Sequence, residues 1–332
     1  MMQAPDIGTL EAGPRGAIAD VAGVTVGHCT LDEGAIQTGV TVVRPHRGDA
    51  YRDKVPAGAC VINGFGKSIG LMQVEELGVL ETPIALTNTF GVGTVANAQI
   101  RAVIGANPQV GRDEPSVNPL VFECNDGYLN DMQALAIGEA HYMNALDACG
   151  ADFERGAVGA GRGMSCFELK GGIGSASRLL DIGERAYKAG ALVLANFGRL
   201  AQLTIAGEAV GRALQPARAS RAQPERGSII MLIATDAPLD ARQLRRVAMR
   251  AAAGLARTGS VYGHGSGDIA LAFSTAYAVP PLVGDTRLDP LFQAAADSVE
   301  QAILDALFSA ETVAGRDGHR RISLNEALKT RP

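Results

Sequence analysis

The chain has 332 residues, of which 47% are hydrophobic, 20% charged and 5% aromatic, and its net charge is −5. A chain of this size and polarity buries a large core. It has no basic excess of the kind that binds nucleic acid, and no apolar run reaches the roughly 18–20 residues of a membrane span.

In chain order, residues 1–16 lack the basic segment and following apolar segment of a signal peptide, so a cytoplasmic protein is expected. Short apolar runs at 40–44, 57–62, 84–87, 119–123 and 191–196, bounded by Gly, Pro or Asn, predict strands. Helical spacing predicts helices over 92–105 and 128–149. In the second, Leu129, Met132, Leu135 and Ile137 lead to a stop near Gly150. Two glycine-rich loops interrupt this pattern. Gly64–Gly70 contains Gly-Lys-Ser after a strand, but Val61 stands where a phosphate loop needs Gly. Ile69 likewise replaces the third Gly of a dinucleotide fingerprint, so a tight strand-to-helix turn is expected. Gly159–Gly163 and Lys170–Gly174 read equally as plain turns or as backbone N–H cradles for an anion.

Residues 214–227 carry two prolines and three arginines without an apolar period and read as an exposed linker. A strongly apolar strand follows at once, 228–235. A helix from about Pro238 to Gly259 places Leu244, Val247, Ala248, Ala251 and Leu255 on one face. A strand over 268–274, a helix near 290–309 and a last helix capped by Ser323, with Glu326 three residues on, complete the chain. Strands and helices come in groups, which favours packed mixed sheets over a doubly wound parallel sheet.

The five cysteines form no CxxC pair and are odd in number, so reduced thiols are expected. The five histidines are scattered, so no metal site is read. No Gly-x-Ser-x-Gly elbow is present. The Gly227–Ser228 junction offers another route to a nucleophile. A linker precedes it, a rigid strand follows it, and Gly227 has no side chain to shield its carbonyl. Chain cleavage there would make Ser228 an N-terminal residue whose own amine, with a reference pKa of roughly 7.7–8.0, serves as base. A serine at such a boundary also commonly caps nearby backbone. In Gly263–Asp268, an extended backbone would project Ser266 and Asp268 from one face, where hydroxyl and carboxylate relay a proton or hold an amine. A polar turn is the plainer alternative.

Taken together, these segments resemble the DmpA family of self-processing aminopeptidases (peptidase family S58). The resemblance runs in order through Ile18–His28, Thr38–Thr41, Asn63–Lys67, Thr82–Thr89, Glu123–Gly127, Gly156–Gly161, Lys170–Gly174, Asn196–Gly198, Gly227–Ile230, Thr235–Leu239 and Gly265–Ile269. It implies a four-layer αββα sandwich of the N-terminal-nucleophile type, shared with ornithine acetyltransferases. It further implies one domain over 1–332, cut into 1–227 and 228–332, with several such pairs assembling into an oligomer. The resemblance places the nucleophile at Ser228, its Ser-x-acid pair at Ser266 and Asp268, and the oxyanion asparagine at Asn196. Some relatives carry Glu where this chain has Asp268. Glu123 is the residue expected to receive the substrate ammonium, although a surface carboxylate is the alternative. The implied activity is release of N-terminal residues from small peptides, amides or esters without a cofactor, the alternative being amine acyl transfer. Neither nucleic acid nor membrane is an expected partner.

Overall fold

The computed structural model describes residues 4–214, 226–280 and 283–330. The first strands are β1 (Thr25–Leu31), β2 (Thr38–Arg44), β3 (Val55–Gly64), β4 (Val79–Leu80), β5 (Ile84–Asn88) and β6 (Val121–Cys124). They are followed by β7 (Ser165–Cys166), β8 (Leu169–Lys170), β9 (Gly172–Ile182), β10 (Arg185–Asn196), β11 (Arg226–Thr235) and β12 (Gly265–Ser274). A last ribbon pairs β13 (Val313–Ala314) with β14 (Arg320–Arg321). The helices are α1 (Leu71–Leu77), α2 (Val92–Ala106), α3 (Glu139–Asp147), α4 (Val210–Leu214), α5 (Ala241–Met249), α6 (Ala251–Arg257), α7 (Asp289–Ser309) and α8 (Leu324–Lys329).

Two mixed sheets form the centre, one of order β1-β2-β5-β6 and one of order β4-β3-β12-β11-β10-β9. Alternation along β11 shows how they stack. Ile230, Leu232 and Ala234 join Leu86 and Phe122 of the first sheet in a core between the sheets. Ile229, Met231 and Ile233 turn the other way and pack on α5, α6 and α7. On the far side, Val40, Val42, Ala85 and Val121 pack against α2 and α3. The result is the αββα sandwich expected from the sequence. Because β10, β11 and β12 are covered on both faces, their sequences are near-continuous apolar runs.

The helix over the large sheet sits close. A Cβ on Gly174 would lie 1.9 Å from the carbonyl oxygen of Ala302, so glycine lets α7 rest on β9. At the start of α5, Asp240 accepts the N–H of Gln243 at 2.7 Å and the Gln243 side chain accepts the N–H of Asp240 at 3.1 Å, a reciprocal cap. Ser323 caps α8 by accepting the N–H of Glu326 at 3.1 Å, as its spacing predicts.

Three expectations are corrected. The helix expected over 128–149 is helical only at Glu139–Asp147, after a short turn at Met132–Ala134. Asp131 caps that turn, Leu135 adopts φ 47°, and Leu129 is instead buried against Ala157 and Val313. The helix expected from Pro238 to Gly259 is two helices, because the N–H of Arg250 closes back on Val247 over three residues. The Lys170–Gly174 stretch, read as turn or anion cradle, is mostly strand: Lys170 ends β8 and Gly172 opens β9, with Gly171 between them, and β1 was likewise not foreseen. The linker expected over 214–227 lies mostly outside the described residues, and Arg226 and Gly227 already belong to β11.

Candidate active site

Ser228 is the third residue of β11, not a strand start, and its register places the other candidates around it. Across the antiparallel β10–β11 pair its partner is Asn196, the last residue of β10. Across the parallel β11–β12 pair its partner is Gly267, which lies between Ser266 and Asp268. Ser228 and Asn196 share the parity of Ile230 and Leu194, whose side chains enter the inter-sheet core. Both are buried.

The Ser228 hydroxyl donates to the carbonyl oxygen of Gly227 at 2.7 Å. Asn196 is held at both ends of its amide. Its Oδ1 accepts the backbone N–H of Ser165 at 2.8 Å, and its Nδ2 donates to the Asn125 carbonyl at 2.9 Å. Among the described residues no acceptor meets the other hydrogen of that Nδ2. Ser266 and Asp268 are fully buried, and the Ser266 hydroxyl donates to Asp268 Oδ1 at 2.5 Å, so the two-residue spacing does join them. Asn63, at the end of β3, donates its amide to the carbonyls of Gly263 (3.0 Å) and Ser266, fixing the turn that leads into them.

Glu123 is the third of the four residues of β6, which crosses the large sheet at this point. The Cys124 thiol beside it donates to the Leu194 carbonyl of β10 at 3.7 Å. Burial raises that thiol well above its ordinary range, and the charges of Glu123 and Asp268 raise it further. Glu123 is itself buried. Its Oε1 accepts the backbone N–H of Lys67 at 2.7 Å and its Oε2 accepts the Thr89 hydroxyl. The Gly64–Gly70 loop is therefore more than a turn: it supplies the N–H that orients Glu123. It also packs on Gly267, where a Cβ would come 2.7 Å from the Phe65 carbonyl oxygen. Position 267 thus takes glycine because a backbone passes directly over it.

The second glycine-rich segment braces Asn196. Lys170 is fully buried, and its ammonium donates to the carbonyls of Gly161 (2.9 Å), Met164 (2.8 Å) and Gly171 (2.7 Å). Burial, with the nearby Arg162 charge adding to it, draws its pKa down to about 7. The loop it ties together carries Ser165, whose N–H holds Asn196. Composition alone gave no signal for this role, since a lysine after an apolar residue reads as solvated surface. Among the described residues no group of three or more His, Cys, Asp and Glu side chains gathers as a metal cluster, and all five cysteines are free thiols.

A sequence profile of peptidase family S58 matches residues 16–321. The chain belongs to that family. It is 38% identical to the β-peptidyl aminopeptidase BapA of Sphingosinicella microcystinivorans, over 96% of this chain and 88% of the relative. The structure superposes on a crystal structure from Pyrococcus horikoshii OT3 with a TM-score of 0.91 at 49% identity, covering 98% of this chain and 96% of the other. It also superposes on the L-aminopeptidase D-Ala-esterase/amidase of Ochrobactrum anthropi, with a TM-score of 0.87 at 35% identity over 97% and 94% of the two chains. That enzyme is described as a prototype for the serine aminopeptidases and a variant of the Ntn hydrolase fold. This S58 member is accordingly a hydrolase acting on peptide bonds, and the acyltransferase alternative is not favoured. No helix among the described residues is long and apolar enough to cross a membrane.

Proposed function

We propose that this S58 peptidase is an aminopeptidase that matures by cleaving its own Gly227–Ser228 bond and then uses Ser228 to remove the first residue of small peptides, amides or esters. The observation that carries this reading is the row Asn196–Ser228–Gly267 across three adjacent strands, with the Ser266–Asp268 pair flanking its last member. In the uncut chain the Ser228 hydroxyl lies against the bond it would attack. Cleavage gives a large segment, 1–227, and a small one, 228–332.

In the matured enzyme the Ser228 α-amine takes the proton of its own hydroxyl as Oγ bonds to the substrate carbonyl carbon. The Asn196 amide meets the negative charge that develops on the carbonyl oxygen. The C–N or C–O bond then breaks, with the proton passing from the amine to the leaving group. Water repeats the sequence in reverse roles to free the acyl product and restore Ser228. The Asp268 carboxylate, bonded to Ser266, favours the protonated amine formed midway. Glu123 receives the substrate's ammonium group, which accounts for a buried carboxylate held by one N–H and one hydroxyl. The kinship with BapA favours substrates whose first residue is a β-amino acid. Several cut pairs assemble into a homo-oligomer in the cytoplasm.

A denaturing gel with N-terminal sequencing tests this. Two bands, the smaller beginning at Ser228, are expected, and Ser228→Ala should remain one uncut band without activity. A wild-type chain that stays at 34.3 kDa through prolonged incubation would overturn the reading.

A further inference from the structure

The ribbon β13–β14 brings a run of cations to the edge of the candidate site. Arg316 pairs with Asp317 at 2.7 Å and Arg320 with Glu326 at 2.9 Å. Arg321 differs from both, since no carboxylate lies within ion-pair range of it among the described residues. Its Nε donates to the Ser165 hydroxyl at 3.1 Å, and its guanidinium carbon lies 3.7 Å from the centre of the Tyr128 ring. That ring is stacked on His319 at 4.6 Å, and His319 is bonded in turn to the Tyr128 carbonyl at 2.7 Å. Burial lowers the Arg321 pKa, offset in part by Tyr128 and the more distant Glu168 charge.

Ser165 links this cation to the chemistry. Its hydroxyl accepts from Arg321 while its backbone N–H holds Asn196. The guanidinium thus sits one residue away from the proposed oxyanion donor. With Nε committed to Ser165 and Tyr128 stacked under its plane, both terminal nitrogens stay in a fixed orientation. That is the fork geometry which recognises a carboxylate. We propose that Arg321 anchors the C-terminal carboxylate of short peptide substrates, making free-acid di- and tripeptides better substrates than their amides. This rests on the aminopeptidase reading and names its substrate class.

Backbone length sets that class. A dipeptide's carboxylate lies one residue, at most about 3.6 Å of backbone, beyond its scissile bond, and a tripeptide's about twice that. Longer peptides would carry their carboxylate past the site. Lys67, a cation with no ion pair among the described residues, lies over the Phe65 ring at 4.4 Å and offers its backbone N–H to Glu123, so it belongs to the end that takes the ammonium. A substrate held by Glu123 at one terminus and Arg321 at the other is measured at both ends.

The test compares one dipeptide as free acid, the same dipeptide as C-terminal amide, and the matching aminoacyl p-nitroanilide. For Arg321→Gln, kcat/KM on the free acid should fall about tenfold to a hundredfold, the loss of a charged hydrogen bond, and through KM. The amide and the anilide should stay within about twofold of wild type, which also certifies that the variant folds and matures. Arg321→Lys should recover part of the loss on the free acid. An equal fall on all three substrates, or no fall on the free acid, would overturn the proposal. Wild-type enzyme that leaves all three intact would instead overturn the aminopeptidase reading.

Discussion

Asn196 and Ser228 are direct partners across β10 and β11, and Asn196 reaches that place already bonded at both ends of its amide, to Ser165 and to Asn125. Such a donor needs no reorganisation when charge develops beside it, which is the condition under which an oxyanion donor is most effective.

Asn196→Ala should therefore lower kcat by roughly 10²–10³-fold with little change in KM, because the contact forms fully only with the tetrahedral species. It should slow maturation as well, since the same amide faces the same serine in the uncut chain. Steady-state kinetics and a time-course gel check both effects. A loss confined to KM would remove Asn196 from the oxyanion role.

Asp268→Asn keeps the shape of the Ser266 partner and removes its charge. If Asp268 supports the protonated α-amine, removing the carboxylate lowers the amine's pKa. The acid limb of the kcat/KM profile, which requires the neutral amine, then moves to lower pH. The fall in kcat should be on the order of a hundredfold. An unmoved limb would assign Asp268 to packing alone.

Lys170→Met should be costly in a different way. Three carbonyls, those of Gly161, Met164 and Gly171, lose their donor in a fully buried site. The expected destabilisation is about 3 kcal/mol or more, read as a drop in the midpoint of urea unfolding. Since that loop positions Ser165, residual activity should fall through kcat. A variant as stable as wild type would show that the carbonyls find other partners.

His28 predicts an acid-sensitive fold. Its Nδ1 bonds the Thr41 hydroxyl at 2.9 Å and its Nε2 the Glu154 carbonyl at 3.0 Å. The Glu154 carbonyl can only accept, so Nε2 carries the proton of the neutral ring, and Nδ1 then accepts the Thr41 hydroxyl, whose oxygen also accepts the N–H of Ala160. Burial lowers the His28 pKa from 6.5 to about 4, partly offset by the Glu154 carbonyl. Between those values the unfolded chain binds more protons than the folded one, so stability is whole above 6.5 and declines as pH falls toward 4. The decline attributable to His28 is at most about 3 kcal/mol. Melting His28→Asn across this range should give a flatter slope than wild type, and parallel slopes would remove His28 as the cause.

Much of this site was readable before the fold was known, for physical reasons. A two-residue spacing in extended backbone forces Ser266 and Asp268 together, and the structure bonds them. The long apolar runs of β10 and β11 announce strands covered on both faces. What escaped were relations carried by backbone groups. The N–H of Lys67 that orients Glu123, and the carbonyls that hold the Lys170 ammonium, have no side-chain signature. The expected helix before Gly150 failed for a similar reason. Apolar spacing at Leu129 through Ile137 mimics a helix, but an aspartate cap and a left-handed leucine redirect the chain.

The strand order of the large sheet has a consequence for the matured enzyme. Ser228–Thr235 of β11 and all of β12 follow the proposed cut, yet they are inserted between β10 and β3, which precede it. Cutting Gly227–Ser228 would sever one covalent link while leaving two full rows of backbone hydrogen bonds on either side of the inserted pair. The two pieces could not be exchanged or diluted apart like ordinary subunits, because separating them means opening the sheet and both of its cores. The scission would be chemically irreversible yet mechanically silent, freeing an amine at the new terminus while the two pieces go on unfolding as one body.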